Sequence, residues 1–292
     1  LDSVNAEAIR HRAFKVALDC CNGAGVTITQ ELLGRLGCEV VTINCTPDGL
    51  FPHNPEPTFV NLRDICRLTR KEGADVGFAQ DPDADRLAVI AADGTYIGEE
   101  MTLALATDNV LSTRKGTVVI NLSTTKTIED IAARYDCKTL RVPVGEVNVS
   151  EKMMEVQSPI GGEGNGGVID PRVHYGRDSL IALALILEMM ALRAKDLKTI
   201  VDGYPRYYMV KDKISASRSR GLRAVKRMRE EYARMPADVT DGVRITLDDG
   251  WVHVRPSNTE PIVRIIAEAG EPKRAQDIVD EFKMAVSRLL DA

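Results

Sequence analysis

The sequence predicts an α/β protein: two similar three-layer α/β domains with mixed sheets, at residues 1–113 and 114–207, followed by a C-terminal α+β domain at 208–292. Three observations carry this reading. Short apolar runs alternate with helical periodicity from Lys15 to Ile160, and the order of elements at the start recurs about a hundred residues later. Beyond Tyr204-Pro205 the pattern changes to a basic helix, a hairpin and a closing amphipathic helix.

In the first domain, residues 4–13 read as a short helix leading into an apolar strand at 15–19, which the turn formers Asn22-Gly23-Ala24-Gly25 end. A helix at 29–36 stops at Gly37, and residues 39–44 form a second strand. The segment from Phe51 to Pro57 holds three prolines and suits no regular element. A helix at 62–71 and a third strand at 74–79 follow.

The second domain repeats that order with a strand at 117–120, a helix at 127–135, a strand at 139–142, a helix at 149–155 and a short strand near Ile160. Asp178 caps a strongly apolar helix over 179–194. In the third domain a basic helical stretch spans 215–235, and strands at 242–247 and 251–255 flank the Asp248-Asp249-Gly250 turn. A strand at 262–267 precedes a final helix from Pro272 that buries Ile278, Val279, Phe282, Val286 and Leu289.

Composition bounds the function. At 292 residues, with 44% hydrophobic and 28% charged residues, the chain can bury a sizeable core, and a formal charge of −5 argues against nucleic acid as partner. The arginines 218, 220, 223, 227 and 229 with Lys226 read as a solvated helix face. Cys20, Cys21, Cys38, Cys45, Cys66 and Cys137 show neither a C-x-x-C pair nor zinc-like spacing, so they read as reduced thiols of a cytoplasmic protein. The richest apolar run, 180–192, is too short to span a bilayer, and no signal-peptide pattern opens the sequence. The chain begins at Leu1 rather than Met, which reads as the boundary of a longer protein.

The chemistry concentrates in loops. Asp81-Pro82-Asp83-Ala84-Asp85-Arg86 sets three carboxylates at alternate positions beside a guanidinium, at the carboxyl end of the third strand, where open α/β sheets bind ligands. Crowded carboxylates repel, and an all-oxygen set without His or Cys suits a hard ion such as Mg²⁺. An EF-hand is excluded, since Arg86 and Ala92 stand where Gly and Glu are needed. A solvated polar turn is the other reading. Arg86 is available for a phosphate.

Gly162, Gly164 and Gly167 satisfy G-x-G-x-x-G, but Val168-Ile169-Asp170-Pro171 follows where a dinucleotide site needs a helix. Glycines allow close backbone approach to a ligand, and Glu163 and Asn165 offer a carboxylate and an amide suited to sugar hydroxyls; a plain turn is the alternative. Arg255-Pro256-Ser257-Asn258-Thr259-Glu260-Pro261 joins two strands, with Arg264 on the second, a donor-rich set suited to a phosphate dianion or else a β-turn with solvated arginines. His174 and Arg177 stand just before the apolar helix, either as a polar lead-in or as a phosphate or sugar contact.

In this order the three loops resemble the α-D-phosphohexomutase family of phosphoglucomutases, phosphomannomutases and phosphoglucosamine mutases, over nearly the whole chain. Asp81 to Arg86 looks like the family's metal-binding loop, Gly162 to Gly166 like its sugar-binding loop, and Arg255 to Pro261 like its phosphate-binding loop. The resemblance implies that Asp81, Asp83 and Asp85 hold Mg²⁺, that Arg86 is catalytic, and that Glu163 and Asn165 meet the sugar. It further implies that Arg255, Ser257, Asn258 and Thr259 hold the phosphate not being transferred, supported by Arg264, His174 and Arg177. The partners implied are a hexose phosphate and a hexose bisphosphate, with no membrane.

The sequence departs from the family pattern in several places. Asn165 stands where Ser is frequent, Gly167 where several members have His, Pro82 where Gly is common, and Pro143 where some carry Lys. The family's phosphoserine sits in a preceding domain; here His53-Asn54-Pro55 follows Pro52 instead of Ser and fits the second-domain pattern. The expectation is therefore a chain of domains two to four, inactive by itself as a mutase, with a phosphosugar-binding module without turnover as the alternative. An aspartyl phosphatase of the D-x-D-x-[TV] kind finds Asp85 or Leu87 where Thr or Val is wanted.

Overall fold

Val16 and Leu18 face one apolar core while Ala17 between them faces another, and this alternation makes the first sheet a middle layer. The computed structural model describes residues 1–257 and 260–291. The chain forms two units: Leu1–Thr124, Ile128–Arg141 and Gly145–Pro205 in the first, and Thr125–Thr127, Val142–Val144 and Arg206–Ala292 in the second.

As far as Gly98 the elements run α1 (Ala6–Arg12), β1 (Lys15–Asp19), α2 (Val26–Arg35), β2 (Glu39–Ile43), α3 (Arg63–Glu72), β3 (Val76–Gln80), β4 (Leu87–Ala91) and β5 (Tyr96–Gly98). The five strands form one mixed sheet in the order β2-β1-β3-β4-β5. β1 is parallel to β2 and β3, whereas β4 runs antiparallel to both β3 and β5. α3 covers one face through Ile65 and Cys66, and Leu33, Leu36 and Leu103 cover the other. Both faces being covered, β3 and β4 are buried at every position.

α4 (Glu99–Leu111) follows, then β6 (Val118–Asn121), α5 (Thr127–Arg134), β7 (Thr139–Val142), α6 (Glu146–Val156), β8 (Gly161–Glu163), β9 (Gly167–Ile169), α7 (Ser179–Arg193) and α8 (Leu197–Val201). The second sheet has the order β7-β6-β8-β9 and is also mixed, with β8 parallel to β6 and antiparallel to β9. α4 packs against β4, β8, β9 and α7, so one helix is shared by both sheets.

The second unit contains β10 (Tyr208–Ser215), α9 (Arg218–Glu231), β11 (Ala237–Asp238), β12 (Val243–Leu247), β13 (Gly250–Pro256), β14 (Ile262–Ala269) and α10 (Pro272–Asp291). Its sheet is antiparallel in the order β10-β14-β13-β12-β11. Ile278, Val279, Phe282 and Val286 of α10 are buried as the sequence predicts, and Leu289 is partly buried.

The structure adds elements that the sequence reading lacks. β4 is a continuous apolar run of five residues straight after a charged loop, and α4 is buried without a break from Thr102 to Leu111. A helix buried all round shows no amphipathic period. β10 is an edge strand whose Lys211, Asp212 and Lys213 mask its alternation. Several starts also move: α2 begins at Val26 instead of residue 29, β3 at Val76 instead of 74, α6 at Glu146 instead of 149 and α9 at Arg218 instead of 215. The glycine run at 161–167 is the two-stranded β8–β9 hairpin, with its turn at 164–166, where the sequence suggests a loop.

Candidate active site

Gln80 ends β3 and Leu87 opens β4, and the two are register partners, so the acidic loop is the connection of a tight antiparallel pair. Asp81 is 1% exposed and stabilises that connection itself. Its Oδ1 accepts the N–H groups of Asp85 and Arg86 at 3.1 and 3.0 Å, and its Oδ2 accepts Arg86 Nε at 2.5 Å. Burial pushes the Asp81 carboxyl above the usual carboxylate range, and Arg86 pulls against that rise. Ala84, at φ +59°, supplies the left-handed step that closes the loop.

Two neighbouring segments brace the loop. Ala24 N–H donates to Pro82 O at 2.7 Å, and a Cβ on Gly23 would stand 2.3 Å from that same oxygen, so only glycine permits the approach. On the other side Ser179 Oγ donates to Ala84 O at 2.5 Å and accepts from Gln80 Nε2 at 2.6 Å. The N-terminus of α7, capped by Asp178 as predicted, is thereby seated on the aspartate loop.

Asp81, Asp83 and Asp85 each offer an oxygen within 4.8 Å of the others. Asp83 is exposed, while Asp85 keeps one buried oxygen, Oδ1, without a hydrogen-bond partner. That oxygen lies 3.7 Å from Arg86 Nε, and a buried carboxylate oxygen without a hydrogen bond in a set of three neighbouring carboxylates fits a hard divalent cation, the donor set being oxygen only.

Glu163 is 3% exposed at the end of β8. Its Oε1 accepts Asn121 Nδ2 at 2.8 Å and Gly145 N–H at 2.9 Å, and its Oε2 accepts Arg177 Nη1 at 2.7 Å. Arg177 also donates through Nη2 to Asp85 and lies beside Glu146, with Nε 3.7 Å from its carboxylate. Burial alone would lower the guanidinium pKa, but Asp85, Glu163 and Glu146 hold it above its ordinary value. Leu87 N–H donates to Gly166 O at 3.1 Å, and a Cβ on Gly166, at φ +93°, would lie 2.4 Å from Leu87 O. The hairpin turn thus docks on the first residue of β4.

The first unit therefore brings Asp81, Asp83, Asp85, Arg86, Glu163 and Arg177 together. It does not bring in the other two predicted residues of this unit. Asn165 Oδ1 accepts Gly167 N–H at 3.3 Å within its own turn, and His174, half exposed, pairs with Asp178 at 3.1 Å. Asn121, Gly145 and Glu146 are partners that the sequence reading missed. Glu146, in the first turn of a helix that opens with Gly145, was the legible signal among them.

In the second unit Arg255 and Arg264 are register partners on β13 and β14. Arg255 is 7% exposed and its Nε donates to Asp241 Oδ2 at 2.8 Å, while Arg264 pairs with Glu260. Ser257, also buried, donates its N–H to Ile262 O at 2.9 Å, and its Oγ accepts Glu260 N–H at 3.2 Å. Both guanidiniums thus have carboxylate partners, where the sequence alone shows only donors. Asn258 and Thr259 lie outside the described residues.

Comparison with known proteins gives the same order of parts. Residues 1–94 match "Phosphoglucomutase/phosphomannomutase, alpha/beta/alpha domain II", residues 98–207 match alpha/beta/alpha domain III, and residues 209–285 match the C-terminal domain. A phosphoglucomutase/phosphomannomutase of Thermococcus kodakarensis is 40% identical over 281 residues, 95% of this chain and 61% of that protein. A phosphoglucosamine/phosphogalactosamine mutase of Sulfurisphaera tokodaii is 32% identical, covering 98% of this chain and 64% of the relative. The crystal structure of a phosphoglucomutase/phosphomannomutase family protein from Burkholderia thailandensis superimposes with a TM-score of 0.84 at 28% identity, over 97% of this chain and 63% of that one.

These matches define a class, the consecutive α/β, α/β and α+β domains of one multidomain fold. The chain belongs to the phosphoglucomutase/phosphomannomutase family. It spans less than two thirds of the length of these relatives.

Proposed function

We propose that the chain is the metal-, sugar- and phosphate-binding part of a phosphohexomutase, which moves a phosphoryl group between O6 and O1 of a hexose through a bisphosphate intermediate. The observation that carries this reading is the bridge of Arg177 between Asp85 and Glu163, which ties the aspartate loop to the glycine hairpin. A cation site and a sugar-type carboxylate thereby stand side by side within one unit.

In this reading Asp81, Asp83 and Asp85 hold Mg²⁺, which supplies charge neutralisation for phosphoryl transfer. Arg86, fixed at Nε by Asp81, keeps its remaining N–H groups for phosphoryl oxygens. Glu163 binds sugar hydroxyls and orients the ring. Arg255 and Ser257, with Asn258, Thr259 and Arg264, hold the phosphate at the non-reacting end, and His174 and Asn165 are secondary contacts. In this reading the serine that carries the phosphoryl group is supplied by a further domain, as in the family pattern. Relatives are named for glucose, mannose, glucosamine and galactosamine phosphates, so the hexose is chosen by assay.

The test is turnover of glucose, mannose and glucosamine 6-phosphates, with Mg²⁺ and a trace of bisphosphate, by a polypeptide of the relatives' full length that contains this chain. Interconversion that falls at least a hundredfold with Arg86→Ala supports the reading. Phosphate release without isomer, or binding with no turnover of any of the three sugars, overturns it.

A further inference from the structure

Three arginines lie on one face of α3, at positions 63, 67 and 70, spaced four and three residues apart. With Phe59, Cys66, Asp93 and Gly94 they line an open surface groove of about 310 Å³. That volume is at the lower end of small-molecule sites, about 300–1,000 Å³. The β4–β5 turn contributes Asp93 and Gly94 to its lining. Gly94, at φ +83°, lets the turn press on α3; a Cβ there would stand 2.6 Å from Cys66 O.

The charges of the groove do not cancel. Among the described residues neither Arg63 nor Arg70 is in an ion pair, and Arg67 pairs only with Asp64 in the exposed first turn of α3. Exposed pairs of that kind hold little energy and yield to a better anion. Asp93, the one acid of the lining, accepts Thr95 N–H at 2.8 Å and keeps its negative charge, so the three guanidiniums outnumber it. Phe59 is braced by Tyr96, with ring centroids 5.8 Å apart, and Arg63 lies over its ring at 5.8 Å. The groove thus has one aromatic wall and no slot between two planes, which favours a compact ring laid against Phe59 over a stacked nucleobase.

Val76 pairs with Ala91 and Gln80 with Leu87, so the Asp93–Gly94 turn is at the opposite end of β3 and β4 from the aspartate loop. Five residues of strand separate the two ends by roughly 15 Å. The geometry points to a second binding site on the first unit, distinct from the aspartate loop, which takes a phosphate monoester carrying a sugar-sized ring. The phosphate is held by Arg67 and Arg70, and the apolar face of the ring packs against Phe59 and Arg63.

Calorimetric titration of the chain with glucose 6-phosphate, inorganic phosphate and adenosine monophosphate tests this. The titrations use an Arg255→Ala/Ser257→Ala background, which disables the phosphate loop of the proposed function. One equivalent of glucose 6-phosphate binds in that background, and adding Arg67→Ala and Arg70→Ala weakens it at least about tenfold with an unchanged circular dichroism spectrum. Phe59→Ala weakens glucose 6-phosphate but leaves inorganic phosphate within about twofold. No binding in the background, binding unmoved by the two α3 substitutions, or tighter binding of adenosine monophosphate each overturns the site. In the native background, loss of all binding on Arg255→Ala/Ser257→Ala overturns this site alone and leaves the proposed function standing.

Discussion

Arg177 Nη1 lies 2.7 Å from Glu163 Oε2, and the same guanidinium reaches Asp85 through its other amino group. Two acids from different sheets therefore share one cation. Arg177→Met leaves Glu163 buried and short of a partner, although Asn121 and Gly145 still bond its other oxygen. The side chain of Arg177 is 19% exposed, so we expect a loss of about 2–3 kcal/mol, below the figure for a fully buried pair. Urea unfolding measures it, and added Mg²⁺ restores more stability to the variant than to the parent, because Asp85 is then free for the ion.

A change at Asp83 is expected to separate the proposed metal binding from folding. Its side chain is exposed, unlike Asp81, which accepts two backbone N–H groups. Asp83→Asn leaves the unfolding midpoint within about 0.5 kcal/mol of the parent and weakens Mg²⁺ or Mn²⁺ binding at least tenfold in calorimetry. Asp81→Asn lowers stability and metal affinity together.

Gly166→Ala places a methyl group against Leu87 O and opposes the positive φ. The hairpin turn must lift from β4, at a loss of about 1–3 kcal/mol. Amide exchange at Leu87, whose N–H donates to Gly166 O, reports the loss directly.

The extent to which the sequence revealed this site follows from periodicity and spacing. The alternating acids, the glycine run and the Arg255 loop were visible because each is a local string, and Asp178 was visible as a cap because helix starts have local rules. The Arg177 bridge was not visible, since positions 85, 163 and 177 meet only once two sheets are packed around α4. Nor was the carboxylate partner of Arg255, because Asp241 stands 14 residues away across a hairpin. β4 and α4 escaped for another reason: full burial removes the polar positions that mark a period.

A buried carboxylate, Asp108, accepts Tyr135 Oη at 2.5 Å, Tyr204 Oη at 2.6 Å and Arg193 Nη1 at 2.7 Å. Burial works against its ionisation, but Arg193 and the two hydroxyls hold the carboxyl below its usual pKa. Asp108→Ala strands three donors and is expected to cost about 3–4 kcal/mol, read as a lower urea midpoint at constant m-value.

His253 is fully buried and bonds Asp241 O at 2.7 Å through Nε2, so the neutral ring is the donor. Burial lowers its pKa from 6.5 to about 4. The unfolded chain therefore binds the extra proton first, and stability is present above the unfolded value and lost as pH falls through the folded one. Between those limits the loss is on the order of 3 kcal/mol. His253→Gln should flatten the stability profile over that range in urea unfolding at stepped pH.

The docking of Gly166 on Leu87 runs through main-chain groups, and the neighbouring Asn165 side chain turns back onto its own hairpin. Gly167 has no such latitude, since a Cβ there would meet Arg177 Cδ at 2.2 Å. Position 165 is thus the one place in the turn where a lineage can exchange a side chain without disturbing the seating of the hairpin. An exchange there gives up the bond from Gly167 N–H to Asn165 Oδ1 and leaves the main-chain docking on Leu87 in place.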